Sequence, residues 1–166
     1  MTSLSLDRHD NLTSGAASRI VSGLLSTSDS RSLTFLRIIL GAVMLPHGLQ
    51  KTVGWFGGYG YEGTMGWFGT LGIPALFGFL AIAAESAGAI ALITGFATRI
   101  AAFGVGATIA VAALMQHVQN GFFMNWSGQQ KGEGIEYHIV LVAISLVLMA
   151  GGAGRFSLDR LFTRTK

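Results

Sequence analysis

The stretch AIAAESAGAI, residues 81–90, sets a single carboxyl group, Glu85, among alanines, glycines and isoleucines, with no other charge for a dozen positions on either side. Five further ionisable residues have similar surroundings. Arg37, His47 and Lys51 lie in LTFLRIILGAVMLPHGLQKTV, His117 lies in TRIAAFGVGATIAVAALMQHVQ, and Glu136 opens EYHIVLVAISLVLMAGGAG. A carboxyl group in such company could hold a proton, bind a cation or fix the polar end of a small ligand. The plainer alternative is a buried Arg37–Glu85 pair that sets helix register. His47 and His117 could carry protons or hydrogen-bond to a neighbouring helix. As two histidines on separate helices they could also ligate a b-type haem or a metal, although no spaced motif supports either. His138 follows Glu136 by two positions, which turns it away from that face and toward the interface.

The elements that position these groups follow from composition. Of 166 residues, 51% are hydrophobic and 11% charged, against roughly 25% charge in a soluble domain. Mean hydropathy is +0.55. So few charges cannot coat a globule of this size, and a bilayer must be most of its solvent. The chain has no cysteine, which excludes disulfides, thiolate metal sites and dithiol redox centres of its own. A pI of about 9.7 invites nucleic acid as a partner, but the basic residues are scattered singly around apolar segments and act as topology signals instead.

Four apolar segments, about 33–53, 73–94, 98–119 and 136–154, each approach the roughly 20 residues that cross about 30 Å of hydrocarbon. They lack the polar outer faces of a soluble four-helix bundle. The expected fold is all-α, a polytopic four-transmembrane-helix bundle. It divides into a cytoplasmic tail over 1–31, a transmembrane domain over 32–155 and a basic tail over 156–166. Residues 20–25 have the spacing of a short surface helix. The tail has no apolar core or cleavage site of a signal peptide. Arg8, Arg19, Arg31, Arg99, Arg155, Arg160, Arg164 and Lys166 fall on the tails and the tight turn near 95–98, while the two longer loops hold Lys51 and Lys131. The positive-inside rule then places both termini in the cytoplasm. The loop over 54–74 alternates glycines with Trp55, Phe56, Tyr59, Tyr61, Trp67 and Phe68, as an aromatic anchor, an interfacial helix or a lid would.

At about 100° per residue, small residues share faces with the ionisable ones. Arg37, Gly41, Met44, Gly48 and Lys51 form one stripe, with His47 at its edge. Glu85 lines up with Gly78, Ala81, Gly88 and Ala89; Arg99 with Ala102, Gly106, Ala110, Ala113 and His117; Glu136 with Ala143, Ala150 and Gly154. Small residues mark close helix packing, so these groups should point inward. A charge turned to lipid would cost at least about 2.5 kcal/mol. Helix rise puts Glu85 near mid-depth, with Arg37 approaching from below and His47 from above.

Several pieces together resemble the DoxX family of small bacterial membrane proteins. They are Arg37 and Gly41; His47, Gly48 and Lys51; the loop ending LGIP; Glu85 and Gly88; Gly95, Thr98 and Arg99; His117 with NGFF; Glu136; and Gly152, Gly154, Arg155, Ser157, Leu158 and Asp159. The resemblance runs from Arg37 to Asp159. It implies a four-helix protein of the bacterial cytoplasmic membrane, with relatives described as membrane subunits of thiosulfate:quinone oxidoreductase or as partners in oxidative-stress complexes. By that resemblance a quinone could be held among His47, Lys51, Glu85, His117 and Glu136, with lipids, a redox enzyme and a second copy as possible partners. No cofactor motif marks the chain as a complete oxidoreductase. An accessory subunit, a small channel or carrier, and a non-catalytic membrane anchor remain open.

Overall fold

A computed structural model describes residues 19–164. The remaining residues of both tails, Arg8 and Lys166 included, lie outside the described part. A short helix, α1, covers 19–25, and the first long helix, α2, covers Arg31–Thr52. A 3₁₀ turn at Trp55–Gly57 leads to α3, Gly60–Thr70. α4 spans Ala75–Thr94, and α5 begins at Thr98, is α-helical to Ala112, and continues through a π-helical turn at Ala113–His117 and a 3₁₀ turn to Asn120. α6 spans Glu136–Gly151 and α7 Leu158–Arg164. The described residues contain no strand.

Among the described residues, three helices are long and apolar enough to cross a membrane: α2, α4 and the whole 98–120 segment. α6 is also apolar but has 16 residues, which at about 1.5 Å each is about 24 Å, short of a full hydrocarbon thickness. The expected four crossings thus become three long helices and one shorter one. The outside of the bundle confirms its solvent. Phe35, Phe77, Phe79, Ile100, Phe103, Leu114, Ile139 and Leu146 are all exposed and apolar, an extent of bare hydrocarbon that only lipid or a partner tolerates.

Alternating helix directions give the bundle a termini end, where α2 begins and α6 stops, and a long-loop end. The core holds Leu40 and Met44 of α2, Ala89 and Leu92 of α4, Ala102, Val105 and Ile109 of α5, and Leu141 and Leu148 of α6. α2 and α4 pack backbone to backbone. A Cβ on Gly41 would stand 2.7 Å from the Ala89 carbonyl oxygen, and one on Gly48 would stand 2.5 Å from that of Glu85. Only glycine fits there, and the glycine–alanine faces expected on α2, α4 and α5 are the packed faces. On α6 the expectation fails. Ala143 and Ala150 are exposed, whereas Leu141, Ser145 and Leu148 are buried. The small residue at that interface belongs to α5, because a Cβ on Gly106 would meet the Ser145 Cβ at 2.8 Å.

At the termini end α4, α5 and α6 are each capped by a side chain from elsewhere in the chain. The last carbonyls of an α-helix have no internal partner and attract cations, and its first amides attract anions. Arg37 donates to the carbonyls of Leu92 (2.6 Å) and Ile93 (2.5 Å) in the last turn of α4. Arg99 donates to those of Met149 and Ala150 in the last turn of α6, and to Ser26. The Asp159 carboxylate accepts from Ala97 N (2.6 Å) and Thr98 N (2.9 Å) at the start of α5.

Candidate functional site

Glu85 is 6% exposed and sits at the middle of α4, ten residues or about 15 Å from its first turn. Its Oε2 accepts a hydrogen bond from Nζ of Lys51, the penultimate residue of α2. The close approach at Gly48 brings the α2 backbone onto Glu85 itself, and Lys51, three residues on, then lies above the carboxylate on the same face. The pair is unequally buried, at 24% side-chain exposure for Lys51 and 8% for Glu85. Lysine reaches inward along its apolar stem from the helix end, while the carboxylate is fixed at depth. Two opposite charges in a low-dielectric setting satisfy each other, which is how a mid-bundle carboxylate can persist.

The sequence placed Arg37 beneath Glu85, and the structure corrects that. Arg37 is 2% exposed, but its guanidinium is turned to the termini end. There it donates to Leu92, Ile93, Ala153 (2.8 Å) and Phe156 carbonyl oxygens, and it interacts electrostatically with Asp159. A planar fork of five donors suits four converging carbonyls better than one carboxylate. Lysine, not arginine, is the partner of Glu85.

The other three candidates lie at the long-loop end. His47 is exposed on α2. His117 closes the π-turn of α5 and donates from Nδ1 to the Glu133 carbonyl at 3.0 Å, an oxygen that Asn120 Nδ2 also reaches. Glu136 accepts from Met124 N at 3.2 Å, and its own amide donates to Phe122. These bonds clip the loop over 121–135 onto the bundle, so Glu136 orders the loop and its carboxylate is not brought to Glu85. The same end contains a residue that the sequence dismissed. The His138 ring stacks on His117 with centroids 4.1 Å apart, and both His117 and His47 interact with it electrostatically. No group of three or more His, Cys, Asp or Glu among the described residues is arranged to hold a metal.

α3 packs against both helices that carry the ion pair, with Phe68 and Met65 on Gly78 of α4, and the turn just before it sets Gly58 against Gln50 near the end of α2. The outer side of the 55–70 segment leaves Trp55, Phe56, Tyr59, Tyr61 and Trp67 exposed, consistent with an aromatic interface belt. Two of the surface hollows are well away from Lys51 and Glu85. One, about 520 Å³, lies at the termini end between Thr94 and the 155–161 segment, where Asp29 bridges Arg155 and Arg160. The other, about 410 Å³, runs between α5 and α6.

Arg99, Asp159 and His138 are thus structural or site residues that the candidate set omitted. A signal existed for the first two, an arginine just inside one helix and an aspartate in a terminal Ser-Leu-Asp; in the fold Arg99 ties down the end of α6 and Asp159 the 95–98 turn. None existed for His138, because the π-turn rotates the end of α5 in a way that no 100° wheel anticipates.

Fold and site together define an all-helical polytopic membrane protein with an ion pair inside the bundle. The DoxX family model matches residues 32–118, and the chain belongs to the DoxX family. No curated protein and no solved structure matches it significantly.

Proposed function

We propose that this chain is a membrane subunit of a redox system, seated in the bacterial cytoplasmic membrane with both termini inside, and that the Lys51–Glu85 pair receives the polar head of a small molecule such as a quinone. The observation that carries this reading is the pair itself, a buried mid-bundle carboxylate met by an ammonium that reaches in from the end of α2. An ammonium is a donor for a carbonyl oxygen. A carboxylate beside it can pass on the protons that a quinone takes up as it becomes a quinol. The chain has no cysteine, so no thiol of its own carries electrons, and in this reading they come from a partner enzyme. The arginines at the termini end, Arg31, Arg99, Arg155 and Arg160, support the inside orientation.

The test is binding of a short-chain quinone to purified protein in lipid nanodiscs, by equilibrium dialysis. Glu85→Gln and Lys51→Met should each weaken binding by about tenfold, the loss of one charge-assisted hydrogen bond of roughly 1.5 kcal/mol. Equal binding by wild type and both variants, or none by wild type, would remove the quinone from this site.

A further inference from the structure

The hollow between α5 and α6 lies on different helices from the ion pair and does not depend on the reading above. Its walls include Ala110, Ala113 and Leu114 of α5, and Ala143 and Leu146 of α6; every lining side chain except His138 is apolar. Its volume, about 410 Å³, falls among small-molecule sites of about 300–1,000 Å³. From His138 to Leu146 it follows eight residues of α6, or about 12 Å, inward from the long-loop end. One polar point therefore sits at the interface, with hydrocarbon below it.

The chemistry of that point is specific. His138 Nδ1 is enclosed and makes no hydrogen bond, and the backbone group that the ring meets is the Gly134 carbonyl, an acceptor. A proton on Nδ1 suits that surrounding better than a lone pair, which leaves Nε2 as the acceptor. Nε2 is not enclosed, and no side chain or backbone group donates to it. The neighbouring His117 has its own Nδ1 proton committed to Glu133. The lining has no lysine, arginine or carboxylate to meet a charged head. The groove is also where the π-turn Ala113–His117 widens α5, a departure from regular helix that often accompanies function.

We infer that this groove binds an uncharged amphiphile from the adjoining leaflet, a single apolar chain lying along α5 and α6 with a terminal hydroxyl that donates to His138 Nε2. Ordinary phospholipids fit less well, because their charged phosphate would find no counter-charge in the lining.

The test uses two probes on the full chain in liposomes: hexadecanol and hexadecane, each with a diazirine at mid-chain. After illumination and digestion, mass spectrometry reads the label on α5 and α6 peptides. The alcohol should label these peptides about fivefold more than the hydrocarbon, the ratio set by one neutral hydrogen bond of about 1 kcal/mol. His138→Phe should remove that preference while hydrocarbon labelling persists, and His138→Asn, which keeps an acceptor, should retain part of it. Ala143→Phe, at an exposed position, should suppress both labels by filling the groove. Equal labelling by the two probes in wild type means simple solvation by lipid tails and overturns the proposal, as does a preference that survives His138→Phe. Glu85→Gln should leave the labelling unchanged, so failure here and failure of quinone binding are separate results.

Discussion

Removing Lys51 should cost far more than removing Glu85, and removing both should cost less than removing Lys51 alone. Lys51→Met leaves a carboxylate that is 8% exposed in its side chain and has no other cation within salt-bridge distance among the described residues. Breaking a buried pair from one side costs about 3–5 kcal/mol. Glu85→Gln leaves an ammonium on the penultimate residue of α2, with a side chain already 24% exposed. It can straighten toward the interface and still meet the amide oxygen, so a loss of about 1 kcal/mol is expected. The double change Lys51→Met with Glu85→Leu replaces the pair by apolar groups of similar size and should lie within about 1 kcal/mol of wild type. The gap between this double variant and Lys51→Met alone, about 2–4 kcal/mol, is measurable by reversible SDS unfolding in mixed micelles followed by far-UV circular dichroism. Equal losses for the two single variants would refute the unequal burial, and a double variant as costly as the sum of the singles would refute the pairing itself.

Gly48→Ala should destabilise by about 1–3 kcal/mol, because its Cβ would meet the Glu85 carbonyl oxygen at 2.5 Å and Ser86 Cα at 2.6 Å, and backbone cannot swing aside. Gly66→Ala, with nothing within 4 Å, should instead gain up to about 1 kcal/mol from helix propensity in the same assay. Asp159→Ala removes both acceptors at the start of α5; a loss of about 1–2 kcal/mol is expected, with faster hydrogen exchange at the Ala97 and Thr98 amides as the local readout.

Helical periodicity located the inward faces of α2, α4 and α5 because glycine and alanine mark close backbone approach from either partner's side. On α6 the same signal misled: alanines that pack nothing lie outside, and Ser145 is received by a glycine on α5. A contact needs one small residue, and a single sequence does not say which helix supplies it. Glu85 was legible as buried, since a lone carboxylate in such a run has nowhere else to go. Its partner was not. Arg37 and Lys51 share the α2 face and both are long enough, and the choice turns on the unpaired carbonyls at the end of α4. Those carbonyls are a backbone demand that composition does not display.

The two ends of the bundle differ in what their most buried polar side chains do. At the termini end Arg37, Arg99 and Asp159 are bonded to backbone groups of other helices. Every such bond fixes a helix terminus, and removing one exposes several unsatisfied groups together. At the long-loop half Lys51 meets the Glu85 side chain and the His138 ring lies against His117, while His117 and Glu136 also bond to loop backbone. Side-chain pairs can exchange a proton or a partner without moving a helix, whereas a capped terminus cannot. The buried carboxylate–ammonium pair, Glu85 with Lys51, lies in the half that the long loops close. The arginine end is the frame that keeps Gly48 against α4, and with it the distance between Lys51 and Glu85.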